Sequence, residues 1–216
     1  MTVTQASARD IMRSAYENRY TWDKSFPGYT ADVTYKYGEK TVTGKVKVNS
    51  NLKAEVFDIE DEEANKVVNN QLWEIAVHRI RREFEDSHGE NTFTLGETDD
   101  TGAIEIFVGG KSDGDKYKVR DNEVCMVHRK IHGVIVTIHT FSSHDTGAGY
   151  LSHRYDSVYH DAKTGEKKGG RNEFEDEYEK VGDYFILNHR VITTEENDTA
   201  STQEIIFSNI KMSDAA

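Results

Sequence analysis

Between Tyr29 and Tyr37 the chain reads "YTADVTYKY", with Tyr29, Ala31, Val33, Tyr35 and Tyr37 on odd positions and Thr30, Asp32, Thr34 and Lys36 on even ones. Successive side chains of a strand point to opposite faces, so this period of two predicts a strand with one apolar and one wetted side. The same pattern recurs over most of the chain. Turn-forming stretches, "YGEK", "TDDTG", "KSDGD", "IHG", "AKTGEKKGG" and "VGD", separate the repeats at hairpin spacing, so consecutive strands pair antiparallel. Roughly ten to twelve strands follow, more than a flat sheet usually carries before it curls. The expected form is a strongly curved antiparallel sheet, an incomplete barrel.

Two segments break the alternation. In "SARDIMRSAYENRY" Ser7 and Asp10 have the spacing of a helix cap, and Ile11, Met12, Ala15, Tyr16 and Tyr20 share one face, which predicts a helix over about 8–20. From 61 to about 82, acids crowd the start and arginines the end, while Ala64, Val68, Leu72, Ile75, Ala76 and Ile80 repeat every three or four residues. This second helix is the longer and more apolar. A sheet apolar on one side needs a cover, so the second helix is expected on the concave face, giving an α+β fold. Pro27, the only proline, precedes the first strand, where a missing amide donor costs little.

The 216 residues, 36% of them hydrophobic, suit one domain over 1–216. No apolar run approaches the roughly twenty residues that cross a bilayer as a helix, so no stable membrane insertion is expected. The opening "MTVTQASARDIMRS" turns polar at once and carries no secretory pattern, which leads to the expectation of a cytoplasmic location. With 39 acidic against 27 basic residues the net charge is −12, which repels nucleic acid and anionic lipid unless a local patch overrides it. Nucleic acid is not an expected partner. Cys125, the only cysteine, reads as a core thiol. "EFEDEYEK" at 173–180 alternates Glu173, Glu175, Glu177 and Glu179 with Phe174 and Tyr178, the mark of a solvated strand face.

"HRKIHGVIVTIHTFSSH" at 128–144 holds four of the nine histidines. If His132 and Gly133 form the turn of a hairpin, Ile131 opposes Val134, His128 opposes Thr137 and His139 opposes Met126. His128, His139, Met126, Thr137 and Ile135 then share one face, and Val127, Arg129, Val136 and Ile138 the other. The diagonal His128 and His139 have Cα atoms roughly 7–8 Å apart and lack a third ligand, so no specific metal is expected. "SSHDTGAG" at 142–149 offers a serine, a histidine and an aspartate, but neighbours along a strand point apart. "TGAGY" lacks the third glycine and the following helix of a dinucleotide site, and no cofactor is expected. Arg129 stands out among apolar neighbours. A buried guanidinium needs a partner, either a structural carboxylate or the anionic group of a ligand.

An amphipathic N-terminal helix leading into "FPGYTADVTY", a curved sheet with a helical plug, and a last strand "EIIFSNIKM" resemble the architecture of the lipoprotein-carrier fold of periplasmic lipid-handling proteins. Over about residues 8–212 the chain more closely resembles an uncharacterised conserved family of photosynthetic bacteria and plastids, through "YGEKTVTGKVKV", "SSHDTGAGYLSHRYDSVYHDAKTG" and "VITTEE". The carrier fold implies a hydrophobic cavity between sheet and helices that takes acyl chains. The expected function is therefore a non-catalytic binding or carrier protein for a lipid-like or pigment-like small molecule. Its tail would lie against Val33, Tyr35, Leu72, Trp73, Val136 and Ile138, with an anionic head near Arg129. Two alternatives stay open: a small enzyme on a hydrophobic substrate with His128 and His139 as acid and base, or an acidic scaffold for protein partners whose identity the sequence does not give.

Overall fold

The computed structural model describes residues 6–214. In chain order the elements are α1 (Ala8–Glu17), β1 (Gly28–Tyr37), β2 (Lys40–Asn49), β3 (Ala54–Phe57), α2 (Glu62–Arg79), α3 (Phe84–His88), β4 (Asn91–Thr98) and β5 (Ile104–Gly110). They continue as β6 (Lys116–Arg120), β7 (Glu123–Ile131), β8 (Val134–Asp145), β9 (Tyr150–Asp161), β10 (Lys167–Val181), β11 (Tyr184–Glu196) and β12 (Thr199–Met212). The twelve strands form an antiparallel sheet in the order β3-β2-β1-β12-β11-β10-β9-β8-β7-β6-β5-β4. Two strands, β3 and β4, keep a free edge, so the sheet is not closed.

The chain, expected as one domain, is organised as two compact units, Met1–Tyr20 with Arg82–Glu173 and Thr21–Arg81 with Phe174–Ala216. In the first unit, α1 lays Ala8, Met12 and Ala15 on Phe84 of α3 and on Ile106, Val108, Tyr117 and Val119 of β5 and β6. Ser7 caps α1 as its spacing predicts: its hydroxyl accepts from the Asp10 amide at 3.2 Å and donates to the Asp10 carboxylate at 2.6 Å. Arg9 and Arg13 tie α1 to Glu85 of α3. The helix stops at Glu17, before the expected 20, because the backbone beyond it leaves to bridge β9: the Tyr150 amide donates to the Asn18 carbonyl and the Tyr20 amide to the Tyr150 carbonyl, both at 2.9 Å.

The hairpin β7–β8 has the register read from its turn. His132 and Gly133 take positive φ, 48° and 82°, and Ile131 opposes Val134, Arg129 Val136, His128 Thr137 and His139 Met126. Such a two-residue turn needs positive φ at both positions, which fixes every pair behind it.

In the second unit, β1 alternates as predicted: Tyr29, Ala31, Val33 and Tyr35 are buried, while Tyr37, at the strand end, is exposed. Asp61 caps α2 by accepting from the Ala64 amide at 2.8 Å. The expected apolar row of α2 is buried at Ala64, Val68, Leu72, Ile75 and Ala76. The helix ends at Arg79, short of 82, because Ile80 turns extended and bridges Trp22. Beyond the two helices that the periodicity predicts there is a third, α3, a single short turn without a side-chain cap.

Candidate functional site

Helix α2 has three kinds of surface, and their angular positions follow from its 3.6-residue turn. The apolar row carries Val68, Leu72, Ile75 and Ala76. Gln71 and Glu74 form a polar flank that reaches Arg190 of β11, and Arg79, in the last turn, reaches Tyr178 of β10. Asn69, Asn70, Trp73 and Val77 form a third flank, left open beside the turn between β2 and β3.

The polar flank meets a charge that the strands turn inward. On β11 the period of two that buries Ile186 and Ile192 also buries Arg190, and on β10 the row of Phe174 and Tyr178 includes Asp176. Arg190 donates from Nε to one Asp176 oxygen at 2.8 Å and from Nη2 to the other at 2.6 Å. Its Nη1 donates to Gln71 Oε1 at 2.7 Å, and its guanidinium lies 5.3 Å from the Phe174 ring centre. Tyr178 donates to Asp176 at 3.3 Å and accepts from Arg79 at 3.1 Å. Burial pushes the Tyr178 hydroxyl up to about 12, so it stays a donor. Burial also raises the Glu74 carboxyl, and the Arg190 guanidinium 3.8 Å away opposes that rise. Every strong donor on Arg190 therefore has an acceptor, and α2 is fastened to the strands at three positions along its length.

The flank on the other side of the helix is open. Asn51, Leu52, Lys53 and Ala54 on one side and Asn69, Asn70, Trp73, Ala76, Val77 and Ile80 on the other enclose a surface groove of about 510 Å³. Trp73 is 65% exposed although the adjacent Leu72 is only 1% exposed. Leu52 sits at the turn with a φ of +65°, a conformation that carries its side chain to this position at a backbone cost. Lys53 is the one charged residue of the lining, and three asparagine amides line the rest of its polar part.

The seven residues expected to line a single cavity fall in the two units. In the second, Val33, Tyr35 and Leu72 are packed into the interior. Trp73 departs from the expectation: consecutive helical residues lie about 100° apart, so Leu72 and Trp73 cannot both face the sheet, and Leu72 does. In the first unit Val136 is buried and Ile138 half-buried. Arg129 has a structural partner: its Nε donates to the buried Asp115 at 3.1 Å, and Asp115 also accepts from the Lys130 amide at 3.0 Å. Its charge is thus committed within the fold. Leu52, Asn69, Asn70, Val77 and Ile80 were not read as site residues. Their signal was the i, i+4 pair Trp73 and Val77 lying off the apolar row.

The two histidines of the enzyme alternative share a face, as their register requires, and each is engaged locally. His128 Nδ1 lies 2.9 Å from the Thr137 hydroxyl, and His139 Nδ1 lies 3.0 Å from Asp156. Asp156 also accepts from Arg171 Nε at 2.7 Å. In "SSHDTGAG" Asp145 accepts from the Gly147 amide at 2.8 Å, which holds a turn.

Residues 3–212 match the family model described as "Protein of unknown function (DUF3386)". The chain belongs to that family. Among solved structures the DUF3386 chain is similar to a putative outer membrane lipoprotein-sorting protein domain from Vibrio parahaemolyticus, with 11% identity over 97% of this chain and 93% of that chain and a TM-score of 0.32. It is also similar to a DUF1329 family protein from Desulfovibrio piger, with 10% identity over 95% of this chain and 91% of that one and a TM-score of 0.29. A third is the Pseudomonas aeruginosa MucA/MucB complex, with 11% identity over 93% of each chain and a TM-score of 0.25. No curated protein matches the chain.

Proposed function

We propose that this DUF3386 chain is a non-catalytic binding protein that takes a hydrophobic or amphipathic small molecule, lipid-like or pigment-like, in the groove between α2 and the β2–β3 turn. The observation that carries this reading is the outward Trp73, stacked one helical turn from the exposed Val77 above an apolar floor of Leu52, Ala76 and Ile80. A helix already secured by Arg190 gains nothing in stability from an exposed indole, whereas a long-chain ligand gains about 0.8 kcal/mol for each methylene it buries there. The groove volume of about 510 Å³ falls in the range of roughly 300–1,000 Å³ typical of small-molecule sites. Lys53 and the amides of Asn51, Asn69 and Asn70 give the polar end of such a ligand its partners, with Lys53 in the role that the sequence reading gave to Arg129.

The test is a fluorescence titration with a long-chain fatty acid. The other tryptophan, Trp22, is buried and stacked on Phe26 at a centroid distance of 4.1 Å, so the exposed indole of Trp73 dominates any ligand-dependent change. Binding shifts the emission to shorter wavelength, Val77→Asp abolishes the shift, and Lys53→Glu weakens binding of the acid but not of the matching alcohol. An unchanged spectrum at saturating fatty acid, together with no lipid or pigment in a solvent extract of protein taken from its own cells, would sink the reading.

A further inference from the structure

The chain carries a net charge of −12, yet one end of the first unit is cationic. Two turns lie side by side there, because the Ala162 amide donates to the Gly133 carbonyl at 3.0 Å and Val134 opposes Asp161. Three of the cations at this end are neutralised in place: Lys168 by Asp161 at 3.0 Å, Lys111 by Glu90 at 2.8 Å and Arg129 by Asp115 at 3.1 Å. Lys130, Lys163 and Lys167 are exposed and form no ion pair among the described residues. Lys116 lies on the row behind them, opposite His128, with its ammonium 5.5 Å from the ring centre of the exposed Phe107. Asp113, between β5 and β6, and Glu166, between β9 and β10, are acids of the neighbouring turns. Ile131, beside the turn, is 41% exposed, and its pair partner Val134 is half-buried.

We propose that this end of the first unit docks on anionic lipid bilayers, with Lys130, Lys163 and Lys167 against the headgroups and Ile131 entering the boundary layer. The chemistry favours a lipid surface over a folded acidic protein. The three lysines have long flexible stems and fix no geometry for a partner carboxylate, which suits mobile, smeared-out charge. An exposed aliphatic side chain beside a turn, at the same end of the unit as three exposed lysines, matches the layered polarity of a bilayer interface. The surface is the local patch that offsets the repulsion expected from the whole chain. It serves peripheral attachment, in keeping with the absence, among the described residues, of any helix long and apolar enough to cross a membrane. The site lies wholly within the first unit and does not depend on the α2 groove.

The test uses the full chain and extruded vesicles, either of phosphatidylcholine alone or of phosphatidylcholine with phosphatidylglycerol, separated by sedimentation at low ionic strength. Protein pellets with the anionic vesicles and not with the neutral ones, and added salt releases it. Each lysine near an anionic surface contributes about fivefold in partition, so Lys130→Ala, Lys163→Ala and Lys167→Ala together lower it about a hundredfold. Ile131→Ser lowers it severalfold, and Trp73→Ser leaves it unchanged. A control with Lys24→Ala, Lys45→Ala and Lys66→Ala, exposed lysines of the second unit, changes the net charge equally and keeps the partition within about twofold of the parent. Equal loss in the two triple variants, equal binding to neutral vesicles, or no binding to anionic ones overturns the proposal. Circular dichroism of each variant shows that the fold is retained.

Discussion

Arg190 and Asp176 face each other across β11 and β10 as a two-pronged ion pair, at 2.8 and 2.6 Å, with side chains 5% and 1% exposed. Neither charge is solvated. The pair is held by its own geometry and by Gln71, so its two halves are interdependent. Removing one leaves the other buried and uncompensated, which costs about 3–5 kcal/mol. Asp176→Asn is therefore expected to lower the urea midpoint strongly. The double change Asp176→Leu with Arg190→Met, apolar and of similar volume, recovers most of that loss. A double variant no more stable than Asp176→Asn alone would show that the pair is not what the packing depends on.

Leu72 and Trp73 are adjacent in the chain and opposite in consequence. Leu72 is 1% exposed in the interior of the second unit, and Leu72→Ala opens a cavity costing about 2–5 kcal/mol. Trp73→Ser removes a larger side chain from the surface, and stability stays within about 0.5 kcal/mol of the parent. Ligand affinity reverses the order: Trp73→Ser loses the fatty-acid response and Leu72→Ala, where folded, keeps it. Chemical denaturation and the fluorescence titration read the two effects separately.

Much of this fold was legible because strand direction is written in a period of two and a hairpin register in its turn. His132–Gly133 was enough to place Met126 opposite His139 and Val127 opposite Ile138. The partner of Arg129 was not legible. Asp115 comes from the end of another hairpin turn, and no local pattern announces which of 39 acids will meet a given arginine. The Arg190–Asp176 pair did leave a trace, since an acid sits in the Phe174 and Tyr178 row and an arginine in the Ile186 and Ile192 row. Each is a charge on an apolar face, and together they call for one another. The groove stayed hidden for a different reason. A helical pattern shows which residues are apolar, but which flank a neighbouring turn covers depends on the path of residues 50–54, and that path has no periodicity.

"TGAG" at 146–149 contains two glycines with positive φ and different obligations. At Gly147 the φ is +76° and a side chain would meet open space, so Gly147→Ala costs about 1 kcal/mol of backbone strain. At Gly149 the φ is +125°, and a Cβ would stand 2.5 Å from the Asn18 carbonyl oxygen and 2.8 Å from the Tyr20 amide. Those atoms form the bridge that joins the end of α1 to β9. Gly149→Ala must break that bridge as well as strain the backbone, and a loss of about 3 kcal/mol is expected. Thermal denaturation of the two variants side by side checks the difference, and equal losses would contradict it.

His88 sets a pH dependence that can be isolated. Its ring is buried among Tyr16, Phe84, Phe93 and Tyr117, and Nδ1 lies 3.3 Å from the Asn91 side-chain amide, an arrangement that suits a neutral imidazole accepting a hydrogen bond. Burial, then the positive charges of Arg129 and Arg19, lower its pKa to about 4, against 6.5 for the ordinary imidazole. Between those two values the unfolded chain holds a proton that the folded chain refuses, so folding stability falls as the pH falls. The contribution is complete above about 6.5 and exhausted below about 4, and its full size is about 3 kcal/mol. In His88→Phe the ring stack persists, and Asn91 retains Ser112, 3.3 Å from its side-chain nitrogen. Urea midpoints measured for both proteins from pH 7 to pH 4.5 are expected to diverge, the parent losing stability more steeply than the variant. Parallel curves would mean that His88 accepts a proton within the folded protein, and that its aromatic cage admits water.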